Sequence, residues 1–156
     1  MPLFLEGFSR PLLVVHALLA GATLGACIHL VSVAVQLARG RVHLARLARV
    51  YSLVIGGGFS AVFLIGLLIY PVFRYRVRAL YLDDAAPWAS NLFDIKENLA
   101  ALGLPLCLAL FAVGRRFDPQ TDAAALPALL YYAISLCALT GFAVVAGLLV
   151  TMAKGV

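Results

Sequence analysis

Four long stretches of this chain contain no Asp, Glu, Lys or Arg, and they set its architecture. The stretches are 11–38, 50–73, 98–114 and 123–153. Because a helix needs about 20 mostly apolar residues to cross roughly 30 Å of hydrocarbon, the first, second and fourth are long enough to span a membrane. The third is long enough only if its helix starts near Ser90, which places Asp94, Lys96 and Glu97 in its first turns.

This pattern predicts an all-α fold, an integral membrane four-helix bundle, as a single membrane domain over residues 1–156. The predicted helices cover approximately 11–37, 50–73, 90–114 and 124–151. Hydrophobic residues make up 64% of the chain and charged residues 12%, which leaves little length for a soluble domain. We therefore expect a multi-pass protein whose solvent is the lipid bilayer. Ten arginines against two lysines, with abundant alanine, favour a bacterial inner membrane.

The net charge of +5 does not indicate nucleic-acid binding. The basic residues sit at the predicted helix ends, where they anchor helices at lipid headgroups, and no aromatic residues alternate with them to form a binding face. Residues 39–49 and 115–122 carry six basic residues on one side of the membrane, and the opposite side also carries six. The positive-inside rule thus gives a tie, and the denser charge of these two short connections favours a cytoplasmic position for them.

Small residues recur at intervals of four in three of the predicted helices. They are Gly21 and Gly25 in the first helix, Ser52, Gly56 and Ser60 in the second, and Ala143 and Gly147 in the fourth. Such rows allow helix backbones to approach closely in lipid, where burial of apolar area supplies no driving force. We expect them to pack the bundle tightly.

A polar layer is predicted near one membrane surface, because His16, Tyr70 and Glu97 each lie about eight or nine residues from the centres of their helices, toward the same side. Together they can bind a quinone headgroup, ligate a metal or haem, or relay a proton. Alternatively, Glu97 pairs with Lys96 or Arg74 at the headgroups, and Tyr70 belongs to the interfacial aromatic belt.

His29 is a second candidate for cofactor binding. It lies 13 residues after His16 in the first helix, which places the two side chains about 140° apart around the axis. A site shared by both is therefore disfavoured, and a haem at His29 would need a histidine from a partner subunit. The cysteines are expected to be small core residues and not metal ligands. The sequence therefore does not identify a metal.

The connection after the second run carries Arg74, Arg76 and Arg78, followed by Asp83 and Asp84. We expect an interfacial arginine cluster paired with these aspartates, which is favoured over a phosphate or anion site. A docking surface for a partner protein is a further possibility for this segment.

The stretch VVHALLAGATLGACIHL resembles the first helix of small bacterial four-helix membrane proteins of two kinds, the copper-resistance D kind and the b-type cytochrome anchors. In both, a histidine precedes a glycine-containing helix. The resemblance covers about one helix and implies a four-helix membrane fold with metal handling or haem binding. The tryptophan and paired glycines of the copper group and the paired haem spacing of the cytochromes are absent, so no site residue is carried over.

We interpret the chain as a small integral-membrane subunit of a larger bacterial membrane assembly, with a respiratory or other redox complex favoured. Haem b or quinone would be shared with other membrane subunits, and the chain would not be an enzyme on its own. The alternative is a metal or small-solute handling protein that acts alone or as a homo-oligomer through His16, Glu97 and Tyr70. A third possibility is a stand-alone b-type cytochrome.

Overall fold

The computed structural model describes residues 3–122 and 124–154. Its long helices are α1 (Ser9–Ala38), α2 (Ala45–Val72), α3 (Pro87–Gly114) and α4 (Ala125–Lys154). All four are long and apolar enough to cross a membrane, and the described residues form no strand. The chain is an all-α, four-helix, multi-pass membrane protein, which confirms the predicted fold class.

The helices form a square bundle in which α1 packs against α2 and α4, and α3 packs against α2 and α4. Helices α1 and α3 therefore lie on one diagonal. Fully buried side chains such as Leu30, Ile55, Leu110 and Leu136, one from each helix, fill the centre. A smaller apolar cluster around Phe93 closes the end of the bundle at which α1 begins and α2 ends. Tyr70 packs against this cluster.

Helix α2 does not end where its apolar run ends. Phe73–Leu82 continues it as a π-helix, and a helical turn, Asp83–Ala85, follows before α3 begins at Pro87. Thus the arginine-rich segment, expected to be a connection, is mostly helical. Pro71 has no N–H to donate to the preceding turn, and such interruptions accompany kinks and π-helical turns. Proline is also suited to the first position of α3, because the missing N–H would have no intrahelical partner there.

Close backbone approach occurs at three glycines. Gly58 faces Thr23 of α1, where a β-carbon added to the glycine would lie 2.7 Å from Oγ1. Gly103 and Gly114 of α3 lie against Phe59 and Ser52 of α2, respectively, with no space for a β-carbon. The row of the second predicted helix thus identified two contacts with α3, a close one at Ser52 and an ordinary one at Gly56, where a β-carbon would lie 3.6 Å from the Phe111 ring.

The predicted packing of Gly21 and Gly25 inside the bundle is wrong. Both glycines are exposed on the outside of α1, and a β-carbon added to either would meet nothing within 4 Å. The reason is that α1 turns its Thr23, Cys27 and Leu30 side toward its neighbours. The glycine face, about a quarter turn or more away around the axis, remains free.

Candidate functional site

His16 lies in the interior-facing part of α1, against α2. A β-carbon added to Gly66 would approach His16 Cε1 to 3.3 Å, so the glycine makes the space that the imidazole occupies. The ring also approaches the backbone carbonyl of Val62 and lies within electrostatic range of the Lys96 and Glu97 side chains. Its Nδ1 atom is buried and has no hydrogen-bond partner among the residues described. This nitrogen is therefore available to a ligand or a proton.

Lys96 and Glu97, which act electrostatically on His16, form an ion pair with Lys96 Nζ 2.9 Å from Glu97 Oε1. The ammonium group lies 4.7 Å from the centroid of the Phe93 ring, in a cation–π arrangement. Phe93 in turn stacks on Tyr70 with 6.2 Å between ring centroids and 16° between planes. The structure thus places the three predicted residues at the same end of the bundle, where Phe93 links Tyr70 to Lys96. We call His16, Tyr70, Phe93, Lys96 and Glu97 the polar layer.

Of the two arrangements expected for Glu97, the ion pair with Lys96 is observed. The Lys96 side chain is 15% exposed and that of Glu97 38% exposed, so the pair spans the boundary between the bundle and its surroundings. The carboxylate is therefore both paired and near an imidazole. An imidazole with a free nitrogen beside a carboxylate and an ammonium can exchange a proton or bind a polar headgroup.

His29 lies apart from the polar layer, on the outside of α1. Its ring is exposed and meets Tyr51 of α2 edge to face, with 4.6 Å between centroids and 79° between planes. The structure therefore does not bring the two predicted histidines together. In the part of the chain that is described, no three His, Cys, Asp or Glu side chains are grouped as a metal site would require.

The outward side of α1 forms a continuous face of small and polar residues. We call Gly21, Gly25, His29 and Ser32 the outer face of α1; their spacings of four, four and three keep them on one side of a helix. All four are exposed. Ser32 satisfies its hydroxyl by donating to the Ile28 carbonyl oxygen at 3.1 Å. His29 meets the ring of Tyr51.

A groove of about 420 Å³ continues this face toward the end of α1. Ser32 and Gln36 line it, together with Arg41, which donates a hydrogen bond of 2.8 Å to Gln36 Oε1. A shallow groove with both apolar and polar walls thus adjoins the glycine surface of α1.

The arginines after α2 are tied to acidic residues by contacts that the sequence only partly indicated. Both terminal nitrogens of Arg78 donate hydrogen bonds to the Asp94 carboxylate, one of them at 2.8 Å. The Nε of Arg78 lies 3.4 Å from Asp83 Oδ1. Arg76 Nε lies 2.8 Å from Glu6 Oε1, which joins the N-terminal segment to the π-helix. Of the two predicted partners, Asp83 pairs with the cluster, whereas Asp84 forms no ion pair within the described residues; the pairs with Asp94 and Glu6 were not predicted. These two ion pairs cannot be predicted from the sequence alone, because they join segments that only the folded structure brings into contact.

A second surface groove lies at the point where α2 becomes the π-helix. Its volume is about 400 Å³, and its lining comprises Leu3, Tyr70, Pro71, Arg74, Tyr75 and Ala79. The groove therefore shares Tyr70 with the polar layer but opens on the outside of the bundle.

Comparisons with known proteins give no further guide. A scan against protein-family models, a search of curated proteins and a search of solved structures each find no match to this chain. Its function must be inferred from the geometry above.

Proposed function

We propose that this chain is a small subunit of a larger bacterial inner-membrane assembly, which it joins through the outer face of α1. The observation that carries the proposal is that Gly21 and Gly25 face away from the bundle, on the same side as an exposed His29. An energy-converting redox complex is the favoured parent, in which quinone or haem b would be shared with other subunits.

In lipid, a surface of glycines with an exposed histidine favours contact with another helix. Glycine rows allow a second helix to approach, and a polar side chain within a span costs free energy unless it finds a partner. Lipid chains offer His29 no hydrogen-bond partner, whereas a neighbouring helix can offer one.

The test replaces Gly25 by leucine and compares it with the same change at Gly57. Both glycines are exposed and have free space around them, but Gly57 lies on α2, outside the outer face of α1. Extraction in a mild detergent followed by native mass determination should give a larger complex for the parent chain and for Gly57→Leu, and its loss for Gly25→Leu. A parent chain that is monomeric in nanodiscs and crosslinks to no partner contradicts the proposal.

A second candidate function, quinone or proton handling, is favoured by the buried Nδ1 of His16 beside the Lys96–Glu97 pair. A quinone headgroup offers oxygens to Lys96, and its reduced form offers hydroxyls to the imidazole. The test is quinone binding by the purified assembly with His16→Gln, which keeps a polar side chain but removes the titratable ring. Unchanged binding and turnover would remove this role.

Metal handling remains the alternative that the copper-resistance resemblance implies. The polar layer offers one imidazole and a carboxylate that Lys96 already engages, whereas zinc sites usually have three or four protein ligands. Metal analysis of the purified chain with and without His16→Ala separates the two classes. Stoichiometric metal that the substitution abolishes would favour metal handling over an assembly subunit.

For haem, the residues fit only half a site. His29 presents an exposed imidazole on the outer face of α1, where it would serve as one axial ligand, and the second would have to come from a partner subunit. The haem would supply the electron-transfer chemistry, while this chain supplies one ligand and the packing surface.

A further inference from the structure

The groove beside Pro71 combines an arginine with apolar walls at the end of a membrane span. Leu3, Pro71 and Ala79 contribute apolar surface, and Tyr70 and Tyr75 contribute aromatic rings with hydroxyl groups. Because the groove begins where the apolar run of α2 ends, it lies at the level of the lipid headgroups. Tyrosine is typical of this level.

Arg74 is the arginine that lines the groove, and its position follows the spacing of the π-helix. In a π-helix the backbone hydrogen bonds join residues five apart, so residues four or five apart lie above one another. Tyr70, Arg74 with Tyr75, and Ala79 follow that spacing and share the groove. Arg78 has the same spacing from Arg74, but it pairs with Asp83 and Asp94 and does not line the groove. Arg76 pairs with Glu6 and is also absent from the lining.

Arg74 consequently differs from the other two arginines of its segment. Arg76 is paired with Glu6, and Arg78 with Asp83 and Asp94. Arg74 is exposed, and within residues 3–122 and 124–154 no carboxylate lies in ion-pair distance of it. The groove therefore has one uncompensated positive charge above an apolar wall.

We infer that this groove binds an anionic phospholipid, with the phosphate on the Arg74 guanidinium and an acyl chain along Pro71 and Leu3. The guanidinium fork matches phosphate oxygens, and the tyrosine hydroxyls can donate to the same headgroup. The apolar wall favours a lipid over a free phosphate ion, which would gain nothing from Pro71 or Leu3. This inference is independent of the proposed assembly.

The experiment measures phosphatidylglycerol retained by the purified full chain, by native mass spectrometry after exchange into vesicles of phosphatidylglycerol and phosphatidylcholine. The variants are Arg74→Gln and the control Arg10→Gln. Arg10 is also an exposed arginine, at the start of α1 and thus on the same membrane side, but it does not line the groove. General attraction to an anionic surface is worth about fivefold per basic residue, so the control should lose at most that much.

The expected result is a loss of about tenfold or more in retained phosphatidylglycerol for Arg74→Gln, since charge-assisted hydrogen bonds exceed simple surface attraction. Equal losses in the two variants would overturn the inference. Ala79→Trp, which fills the groove without changing charge, must also lower retention, and unchanged retention would place the lipid elsewhere. Competition by millimolar inorganic phosphate would identify a free phosphate site and likewise overturn it. Far-UV circular dichroism confirms that each variant is folded.

Discussion

Replacing Gly103 by alanine is the most direct test of how α2 and α3 approach each other. Gly103 is buried under the Phe59 ring, and an added β-carbon would lie 3.0 Å from both Cε atoms and closer still to Cζ. Real β-carbons do not approach ring atoms so closely, so the ring must move. Phe59 is only 7% exposed, and its neighbours restrict that movement.

The change in unfolding free energy combines a cost from overpacking with a gain from helix propensity. Forcing an extra methyl group into a packed core costs about 1–3 kcal/mol. Alanine in place of glycine in a helix returns up to about 1 kcal/mol. Gly57→Ala provides the propensity gain alone, because its β-carbon meets nothing within 4 Å. The difference in unfolding free energy between the two variants is therefore the overpacking cost, about 1–3 kcal/mol.

Reversible unfolding by sodium dodecyl sulfate in mixed micelles, followed by circular dichroism, measures both variants on one scale. Adding Phe59→Leu to Gly103→Ala should recover part of the loss, so that the two changes together cost less than their sum. If Gly103→Ala and Gly57→Ala were equally stable, or if the double variant were simply additive, Phe59 would not pack on Gly103 and the described contact would be wrong.

Further predictions concern the charged end of the bundle and the outer histidine. Asp94→Asn should weaken the ion pair with Arg78. Hydrogen exchange of the backbone amides of residues 73–85, measured by mass spectrometry, should then become faster, while the four spans stay protected. Glu97→Gln should change the unfolding free energy by only about 0–1 kcal/mol, since its pair with Lys96 is partly exposed, yet impair the activity of the assembly if the polar layer handles protons. The isolated chain should show no haem bands in a reduced-minus-oxidised absorbance spectrum, because His29 lacks a second ligand; a bis-histidine spectrum would contradict this.

The spans could be predicted from the sequence because the free energy of transferring a side chain from water to lipid depends mainly on the residue type. Runs without charge had to become membrane helices, since only a helix satisfies every backbone hydrogen bond in lipid without a neighbouring strand. The continuation of α2 through Phe73–Leu82 was harder to foresee. Its charged residues lower the hydropathy, and its helical form depends on contacts with Asp94 and Glu6 that are distant along the chain.

The polar layer was partly predictable from depth. Counting residues from the centre of each helix put His16, Tyr70 and Glu97 at one level, and the structure places all three at that end of the bundle. Depth does not give direction around the helix axis. The count could not reveal that Phe93 lies beside Tyr70 or that Gly66 provides the space for the imidazole.

A row of small residues marks a helix surface that can pack closely against another helix, but it does not say which helix that is. A spacing of four marks one side of a helix, but whether that side faces inward depends on the neighbours. Gly58 and Gly103 pack within the bundle, whereas Gly21 and Gly25 face outward. In water an outward glycine row would have little meaning, but in lipid close van der Waals contact is itself a driving force for association. Under the proposed assembly, the free row on α1, rather than the packed glycines, is where a neighbouring helix should be sought, and a polar group of that helix is expected at the depth of His29.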